Sequence, residues 1–401
     1  MSWETICVGD VCKYTTSGGT PKTSMASYYE PPTIPWLKTK EVNYCRIYQT
    51  ESYISQEGLD KSSAKLIPAN SVIVAMYGQG DTAGRVAINK IPISTNQACC
   101  NLVIDPQKAD YEFVYYALST LYDKLVSLKN GGAQPNLNAQ IIRNVEIPFP
   151  PLETQHKIAK ILSAYDDLIE NNQKQIRLLE EAAQRLYKEW FVDLRFPGYE
   201  TTSITDGIPE GWDLSTVGKC SALLRRGISP KYAENGPTIV INQKCIRQSV
   251  MDVSEARKQE KTFAAEMNLM DSDTVICSTG AGTLGRVGQV FGEYPNTTFD
   301  SHVTLVRARN DIGKQYLYHF LKAKQDYLQG MGKGSTNQLE LSRGTIQELP
   351  ILVPCDNVQR AFEQQIQPIH EKITALTKQI KLLCEARDAL LPKLMNGEIE
   401  V

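Results

Sequence analysis

The sequence predicts a mixed α/β fold with an internal pseudo-two-fold duplication. It should form two α+β domains, each a small β-sheet with helices, separated by two long helices that form an antiparallel coiled coil. Three observations predict this fold. Short motifs occur twice in the same order along the 401 residues. Each set of motifs ends in a long stretch whose apolar residues recur at alternating steps of three and four. In each half, short β-branched runs precede glycine turns, which is typical of strands.

The duplication is visible in four pairs of similar segments. A Trp-x4-Val-Gly pattern at the start returns at an offset of 209 residues, and a Pro-Lys pair returns at the same offset. A Gly-Arg-Val triplet closes a glycine-rich turn in both halves. The paired segments are 3–9 and 212–218, 20–22 and 229–231, 66–88 and 269–290, and 145–148 and 347–350. Because their order is the same in both halves, the sequence indicates one structural unit used twice.

Each half contains its own strand and helix signals. Residues 71–76 and 274–279 are the clearest strand candidates. Residues 111–128 and 314–328 have the apolar spacing of amphipathic helices, and we expect them to pack on the sheets.

The first long helix should begin after the proline run at 148–151, since proline cannot donate the hydrogen bond of a helix interior. Residues 152–191 contain neither Gly nor Pro, and about 40 residues at 1.5 Å each give a rod of roughly 60 Å. In the second helix, Arg387 interrupts the apolar pattern once and Pro368 should introduce a kink. Asn172 lies in the middle of the first stripe, where a buried polar residue can fix helix register at some cost in stability.

We interpret these two stripes as packing surfaces. Antiparallel pairing of the two helices would place the two α/β domains at opposite ends of the rod. The predicted helix–helix seam consists of Leu162, Tyr165, Ile169, Asn172, Ile176, Leu179, Leu186, Ile369, Ile373, Leu376, Ile380, Leu383 and Leu390.

The bulk composition is that of a globular protein, with 42% hydrophobic and 22% charged residues. No apolar run approaches the ~18 residues of a membrane helix, and the first residues lack the pattern of a signal peptide. The ten cysteines form no CxxC pair and the four histidines show no metal-ligand spacing. We therefore expect a cytoplasmic protein with reduced thiols and no metal site.

Catalytic motifs are absent from the sequence, which has no Walker loop, HExxH or GxSxG, and no Asn/Asp-Pro-Pro-aromatic string of an amino-methyltransferase. One GxGxxG string at 280–285 imitates a dinucleotide fingerprint. However, residues 286–291 after it are typical of a strand, whereas the fingerprint requires a helix there. The corresponding turn at 78–84 has a different spacing. A glycine-rich turn between strands is therefore the better interpretation, and we expect no cofactor in this chain.

Residues 147–198 resemble the central region of the specificity subunits of Type I restriction–modification enzymes. The similarity lies in the proline cluster, in Leu152, Gln155 and Ile158, and in the Trp-Phe-Val-Asp ending at 190–193. The repeat order, domain then helix, also matches that family over nearly the whole chain. The second helix is less similar, because its counterpart of PPLETQ, residues 354–359, keeps only the first proline and the glutamine.

The resemblance implies the following organisation. Residues 1–150 would be target recognition domain 1, 151–195 the central spacer helix, 196–354 target recognition domain 2, and 355–401 the C-terminal spacer helix. Each recognition domain would read one half of a bipartite, asymmetric site in double-stranded DNA. The helices would set the spacing and dock two methyltransferase subunits, joined by two restriction/translocase subunits. This chain would catalyse nothing, and S-adenosylmethionine and ATP/Mg would belong to the partner subunits.

The overall charge of −2 offers little attraction for DNA, so any contact should be local or shared with partner chains. Between 219 and 261, nine basic and four acidic residues leave a surplus of five positive charges. Over 152–193, six basic residues are outnumbered by eight acidic ones, as on a solvated or partner-facing rod. Lys and Arg suit phosphates, whereas Arg, Asn and Gln suit base edges. The candidate DNA-binding residues are Lys22, Lys38, Lys40, Gln79, Arg85, Asn136, Arg225, Arg226, Lys231, Asn242, Gln243, Lys244, Arg286 and Asn337.

Two other functions fit the same sequence. The chain would be a coiled-coil scaffold if its two domains no longer bound DNA, which a gel-shift of the assembled complex would reveal. It would be a single-chain enzyme if the purified chain alone methylated or cleaved DNA.

Overall fold

A computed structural model of the chain describes residues 3–78, 80–129, 136–246, 251–280, 282–332 and 339–401. The chain forms two compact units. Unit 1 comprises residues 1–169 and 382–401, and unit 2 comprises residues 170–381. Both combine β-sheets with helices, so the predicted mixed α/β class is confirmed.

Unit 1 begins with eleven strands and four short helices among its described residues. The strands are β1 Thr5–Cys7, β2 Cys12–Ser17, β3 Ile34–Leu37, β4 Cys45–Ile47, β5 Tyr53–Ile54, β6 Leu66–Ile67, β7 Val72–Ala75, β8 Val86–Asn89, β9 Ile93–Thr95, β10 Cys99–Ile104 and β11 Glu146–Pro148. The helices are α1 Gln56–Asp60, α2 Tyr111–Ser119, α3 Tyr122–Ser127 and α4 Ala139–Arg143.

Two sheets form the body of unit 1. The larger has the order β2-β10-β7-β8-β4, with β4 parallel to β8 and the other pairs antiparallel. The smaller has the order β5-β3-β9-β6, and β1 pairs with β11 in a separate ribbon. The central strand β7 is fully buried, which explains why 71–76 is a nearly continuous apolar run. Strand β2 lies at the edge of the larger sheet.

The first long helix, α5, extends over Leu152–Tyr187 and continues as a π-helical turn at Lys188–Val192. It begins directly after the proline run, as predicted. In unit 1, Ile158 and Leu162 of α5 join the buried core beneath the larger sheet.

Unit 2 repeats this plan. Its strands are β12 Ile204–Thr205, β13 Ile208–Pro209, β14 Asp213–Thr216, β15 Ser221–Arg226, β16 Thr238–Ile241, β17 Arg257–Gln259, β18 Thr274–Cys277, β19 Val287–Gln289, β20 Thr297–Phe299, β21 Val303–Ala308 and β22 Pro350–Val353. Its short helices are α6 Val217–Cys220, α7 Lys314–Ala323, α8 Gln325–Gly330 and α9 Arg343–Gln347.

The sheets of unit 2 repeat the central strands of those of unit 1, although β4 and β6 have no counterpart among the described strands of unit 2. The order β15-β21-β18-β19 corresponds to β2-β10-β7-β8, and β15 again lies at the edge. The parallel pair β16–β20 corresponds to β3–β9, and the ribbon β14–β22 corresponds to β1–β11. The sequence repeat is therefore a repeat of topology.

The two amphipathic helices differ from the prediction. Residues 111–128 form α2 and α3 with a break at Thr120–Leu121, and 314–328 divides into α7 and α8 at Lys324. At the first break, the hydroxyls of Ser119 and Thr120 donate to the carbonyls of Tyr115 and Ala117, at 2.8 and 2.7 Å. Such side-chain bonds compete with the backbone ladder and favour a helix end.

The second long helix, α10, extends over Asp356–Met395 and continues through Pro368. Within unit 2, Ile176 of α5 packs with Ile373 and Leu376, and the rings of Trp190 and Phe362 are 5.7 Å apart. Residue numbers rise along α5 as they fall along α10, so the predicted antiparallel pairing is confirmed. Within unit 1, Ile158 and Leu162 share a core with Leu394 and Met395 near the end of α10.

All thirteen residues of the predicted seam are buried or half-buried. Arg387, which interrupts the pattern, donates to the buried Asp166 of α5 at 2.6 Å. The hydroxyl of Tyr116 donates to the other oxygen of that carboxylate at 2.5 Å. Asn172 is also buried, and its amide nitrogen has no hydrogen-bond partner in the described part of the chain.

One glutamine fixes the start of each long helix. In α5, Gln155 accepts a hydrogen bond from the backbone of Asp110 at 3.0 Å and donates to the carbonyl of Pro150 at 2.9 Å. In α10, Gln359 accepts from the backbone of Gly313 and donates to the carbonyl of Pro354, both at 2.8 Å. The first turns of α2 and α7 are thereby tied to the long helix of their unit by the same two bonds.

Candidate nucleic-acid interface

A 3-10 turn after the first strand of the smaller sheet carries predicted DNA-binding lysines in both units. In unit 1 the turn Thr39–Glu41 follows β3, and in unit 2 the turn Gln243–Cys245 follows β16. Lys40 and Lys244 occupy the same position in these turns and both are exposed. The structure therefore places this predicted pair at equivalent points of the two units.

The lysines of the unit 1 turn already have partners. The Lys40 ammonium pairs with Glu51, and its hydrogen bond to that carboxylate raises the pKa of the lysine. The Lys38 Nζ lies 5.1 Å from the ring centre of Trp36. Stacking of this kind orients a cation without removing its charge.

Arg85 follows the glycine-rich turn of unit 1 and is held on two sides. Its guanidinium donates to the Asn43 side chain and to Asp81, each at 2.6 Å. Its equivalent, Arg286, is half-buried, and no group in the described residues of unit 2 accepts a hydrogen bond from its guanidinium. The two arginines therefore share a position along the fold but differ in their contacts.

Three predicted DNA-binding cations of the basic segment in unit 2 are paired with carboxylates. Arg225 on the edge strand β15 donates to Glu266 at 2.9 Å, and its neighbour Arg226 pairs with Glu340. Lys231 pairs with Glu260. Because Glu266 and Glu340 lie outside 219–261, the fold offsets part of the positive surplus that the local sequence shows.

Asn242 and Gln243 have structural contacts. The Asn242 side chain caps its turn by accepting from the backbone of Lys244 at 2.7 Å, and its amide donates to the Glu255 carbonyl at 3.0 Å. Gln243 accepts a hydrogen bond from the Thr283 hydroxyl at 3.4 Å. Asn242 therefore shapes the turn, whereas the Gln243 side chain lies beside the glycine-rich loop.

That loop has a packing explanation for its glycines. Gly285 has a φ of +75°, and a Cβ there would lie 2.6 Å from the backbone nitrogen of Gln329 in α8. Strand β19 begins at Val287, immediately beyond the loop. The expected strand is present, and the helix that a dinucleotide fingerprint requires does not follow.

Of the remaining predicted residues, Lys22 and Asn136 are exposed in unit 1. Gln79 and Asn337 lie outside the described residues. The structure thus distributes the predicted set over the 3-10 turns, the glycine loops and the edge strand β15. Their contact with DNA stays a prediction.

The sequence analysis did not identify a groove beside the edge strand β2 of unit 1. This strand–helix groove lies between β2 and α4, has a volume of about 530 Å³, and is open to solvent. Its lining includes the hydroxyls of Thr15, Thr16 and Ser17 and the cations Lys65 and Arg143. In the sequence the two cations are 78 positions apart, and only the fold brings them together.

The buried thiols of the described regions are unreactive. Burial raises the pKa of the Cys100 and Cys277 thiols to about 12 and that of Cys245 to about 11, so these thiols stay protonated near neutral pH. In the described ranges, no group of three or more His, Cys, Asp or Glu side chains has an arrangement that could hold a metal ion. No described helix combines the length and hydropathy needed to cross a bilayer.

Two copies of one α/β domain, each presenting cations on matching turns and each tied to a long helix, define a duplicated recognition protein. The chain belongs to the family described as the Type I restriction modification DNA specificity domain, which matches residues 1–181 and again 209–385. Its role is DNA sequence specificity, exercised through two specificity domains.

Specificity subunits from other organisms are similar to this chain over most of its length. The Type I restriction enzyme MjaIX specificity subunit of Methanocaldococcus jannaschii is 29% identical, with 96% of this chain and 90% of that protein covered. The HindI specificity subunit of Haemophilus influenzae is 24% identical, over 72% of this chain and 77% of the relative. The crystal structure of the S subunit from M. genitalium has the same fold, with a TM-score of 0.58 and 19% identity. That alignment covers 98% of this chain and 96% of the other.

Proposed function

We propose that this chain is a non-catalytic specificity subunit in which each recognition domain reads one half of a bipartite, asymmetric DNA site. The observation that carries the proposal is that the topology repeats while the surfaces differ. Equivalent positions on the edge strands hold Thr16 and Ser17 in one copy but Arg225 and Arg226 in the other. Two identical readers would bind a symmetric site, whereas two different readers favour an asymmetric one.

The long helices set the distance between the two half-sites in this proposal and dock two methyltransferase subunits, joined by two restriction/translocase subunits. The paired α5 and α10 support this role, because Leu168 and Leu178 of α5 are about half exposed, at 47% and 54%. S-adenosylmethionine and ATP/Mg would be bound by the partners, this chain would hold no cofactor, and the complex would work in the cytoplasm.

The test is to co-express the chain with the methyltransferase encoded beside it and to map methylated adenines across the host genome. The expected result is a single motif with two specified halves separated by an unspecified spacer. A continuous motif would contradict the proposal of a split site. If the assembled complex did not shift DNA in a gel-shift assay, a scaffold function would be favoured. Methylation or cleavage by the purified chain alone would contradict the non-catalytic assignment.

A further inference from the structure

The strand–helix groove of unit 1 is a positively charged surface without an acidic residue in its lining. Its cations are Lys65 and Arg143, and both are exposed. The Lys65 ammonium donates to the Thr16 hydroxyl at 3.0 Å, a neutral partner that leaves its charge uncompensated. In the described part of the chain, no carboxylate lies within ion-pair distance of either cation. The groove therefore offers two uncompensated positive charges.

The groove also presents neutral hydrogen-bond donors between its cations. Ser17 contributes a hydroxyl from β2, and the Gln140 amide of α4 donates to Asn144 at 2.8 Å and keeps a second N–H. The Thr16 hydroxyl instead accepts from Lys65 and donates to the Ser17 carbonyl at 3.2 Å. Among the described strands, β2 pairs only with β10, so its other side has no neighbouring strand there. Cations, hydroxyls and the backbone of an exposed segment are the groups with which proteins contact nucleic-acid phosphates.

The equivalent surface of unit 2 also carries cations, although the residues differ and Arg225 and Arg226 are paired with carboxylates. At the offset of 209, Thr16 and Ser17 correspond to Arg225 and Arg226 on the edge strand β15. The short helix α9, which corresponds to α4, begins with Arg343. Each strand is followed by a glycine. A Cβ at Gly18 would lie 2.2 Å from the carbonyl oxygens of Thr95 and Asn96, and one at Gly227 would lie 2.2 Å from those of Phe299 and Asp300. Structural requirements explain the shared glycine, but they do not explain positive charge at the same place from different residues.

We propose that the strand–helix groove binds the phosphodiester backbone of the DNA half-site read by unit 1. Lys65 and Arg143 each neutralise one phosphate, and the Ser17 hydroxyl and the second N–H of the Gln140 amide donate to the phosphate oxygens between them. The inference rests on the DNA-specificity role of the chain and adds a positioning surface to it. Because phosphates are the same in every sequence, the groove contributes affinity and orientation without base preference.

The test measures salt dependence in the complex of the full chain with its methyltransferase. The variant Lys65→Gln/Arg143→Gln removes both charges, and Lys65→Arg/Arg143→Lys retains them. Binding is measured by fluorescence anisotropy on two labelled duplexes, one containing the mapped motif and one with that motif scrambled. Because each neutralised phosphate contributes about 0.9 to the slope of log affinity against log salt, the Gln variant should lower the slope by about 1.8. At 0.1 M salt this corresponds to about sixtyfold weaker binding on both duplexes.

The charge-retaining variant should keep the slope of the unaltered complex, and the methylated motif should be the same for all variants. The variant Lys157→Gln/Lys160→Gln removes two exposed charges from α5 and, after its assembly is verified by gel filtration, should leave the slope within a few tenths. An unchanged slope in the groove variant, or an equal loss in the α5 variant, would overturn the inference while leaving the DNA-specificity role intact. Loss of binding to the motif duplex alone would also overturn it, because base readout would then be the function of the groove.

A small-anion site is distinguished by competition. Replacing chloride with inorganic phosphate at equal ionic strength should displace DNA to the same extent from the unaltered and the groove-variant complexes. Binding of inorganic phosphate to the DNA-free unaltered complex, lost in the groove variant while the salt slope on DNA stays unchanged, would identify a phosphate-ion pocket and overturn the proposal. Failure of the unaltered complex to bind either duplex would overturn both the inference and the DNA-specificity role.

Discussion

The contacts of single side chains explain why some residues are identical in the two halves and others differ. Gln155 and Gln359 match because each must accept from one backbone nitrogen and donate to one proline carbonyl, and both are buried. A buried backbone group without its partner costs about 1–3 kcal/mol, so few substitutions are tolerated there. The exposed residue that follows each glutamine differs between the copies, His156 in α5 and Arg360 in α10.

The residues that cap the N-termini of α2 and α7 differ between the copies, and a residue from another helix replaces the missing cap. In unit 1, Asp110 caps α2 with its own side chain, accepting from the backbone of Phe113 at 2.9 Å. Gly313 at the equivalent position has no side chain to do so. Glu363 of α10 instead accepts from the backbone of Gln315 and Tyr316, at 2.9 and 3.1 Å. The sequence alone does not reveal this exchange, because the substitute is 50 positions away from the cap that it replaces.

His319 of α7 should make unit 2 sensitive to acid. Burial lowers its pKa to about 3 from the usual 6.5, and the imidazole makes a 3.0 Å hydrogen bond with the Gln184 side chain. Below pH 6.5 this histidine binds a proton in the unfolded chain, whereas in the folded chain it stays neutral until the pH approaches 3. The free energy of unfolding should therefore fall as the pH drops from 6.5 towards 3, by up to about 1.4 kcal/mol per unit.

The variant His319→Asn removes this titration while keeping a side-chain amide near the position of Nδ1. Hydrogen exchange of the α7 amides between pH 7.5 and 5, corrected for intrinsic exchange, should show a smaller loss of protection in the variant. The matched variant His156→Asn, at an exposed position of unit 1, should behave like the unaltered chain. An identical pH response with and without His319 would contradict the prediction.

At the scale of elements, the apolar pattern predicts both long helices, but it does not reveal the role of the one charged residue that interrupts it. Arg387 breaks the apolar stripe in the sequence, yet in the structure it pairs with the buried Asp166 across the two helices of unit 1. The pairing residues are separated by 221 positions, so no local pattern reveals them. The broken helices at Thr120 and Lys324 were missed for a similar reason, because apolar spacing continues across a short break.

Removing Arg387 should strongly destabilise unit 1. The variant Arg387→Met leaves the Asp166 carboxylate buried without its counter-charge, which costs about 3–5 kcal/mol in comparable sites. The double variant Asp166→Asn/Arg387→Met removes the charge and keeps an acceptor for the Tyr116 hydroxyl, so it should be more stable than the single variant. Chemical denaturation measures the difference, with Lys393→Met on the exposed side of α10 as the control. A single variant as stable as the control would show that the pair contributes no net stability.

Replacing Asn172 should stabilise the chain, whereas replacing Arg387 should destabilise it. Its buried amide nitrogen lacks an acceptor among the described residues, so Asn172→Leu should stabilise the chain by about 1 kcal/mol. The neighbouring Asn171 is exposed, and Asn171→Leu should change the midpoint of thermal unfolding little. If Asn172 also fixes the register of the helices, the Leu variant will show additional crosslinked species when cysteines are placed along the seam. A lower midpoint for Asn172→Leu than for Asn171→Leu would contradict the prediction.

At the scale of the whole molecule, the sequence was sufficient for the duplicated plan and insufficient for the charged surface. The repeat gave the order of domains and helices because topology follows from local apolar patterns and turns. The charge of a surface does not follow from local patterns, since the partners of Arg225 and Arg226 come from segments 41 and 114 positions away. The strand–helix groove was missed because its two cations are separate in sequence, and an alignment of β2 with β15 is the signal that would have directed attention to it.

The pairing of the unit 2 cations leads to a last prediction about a chain whose overall charge is −2. If Arg225 and Arg226 contact DNA as predicted, they exchange Glu266 and Glu340 for phosphates, and exposed pairs of this kind are worth about 0.2–1 kcal/mol each. The variant Glu266→Gln/Glu340→Gln should therefore bind duplex DNA about two- to thirtyfold more tightly in the methyltransferase complex. The variant Glu293→Gln/Glu371→Gln makes the same change in overall charge at exposed positions of unit 2 that pair with neither arginine. Equal gains in the two variants would show that overall charge, and not release of the two arginines, governs the affinity.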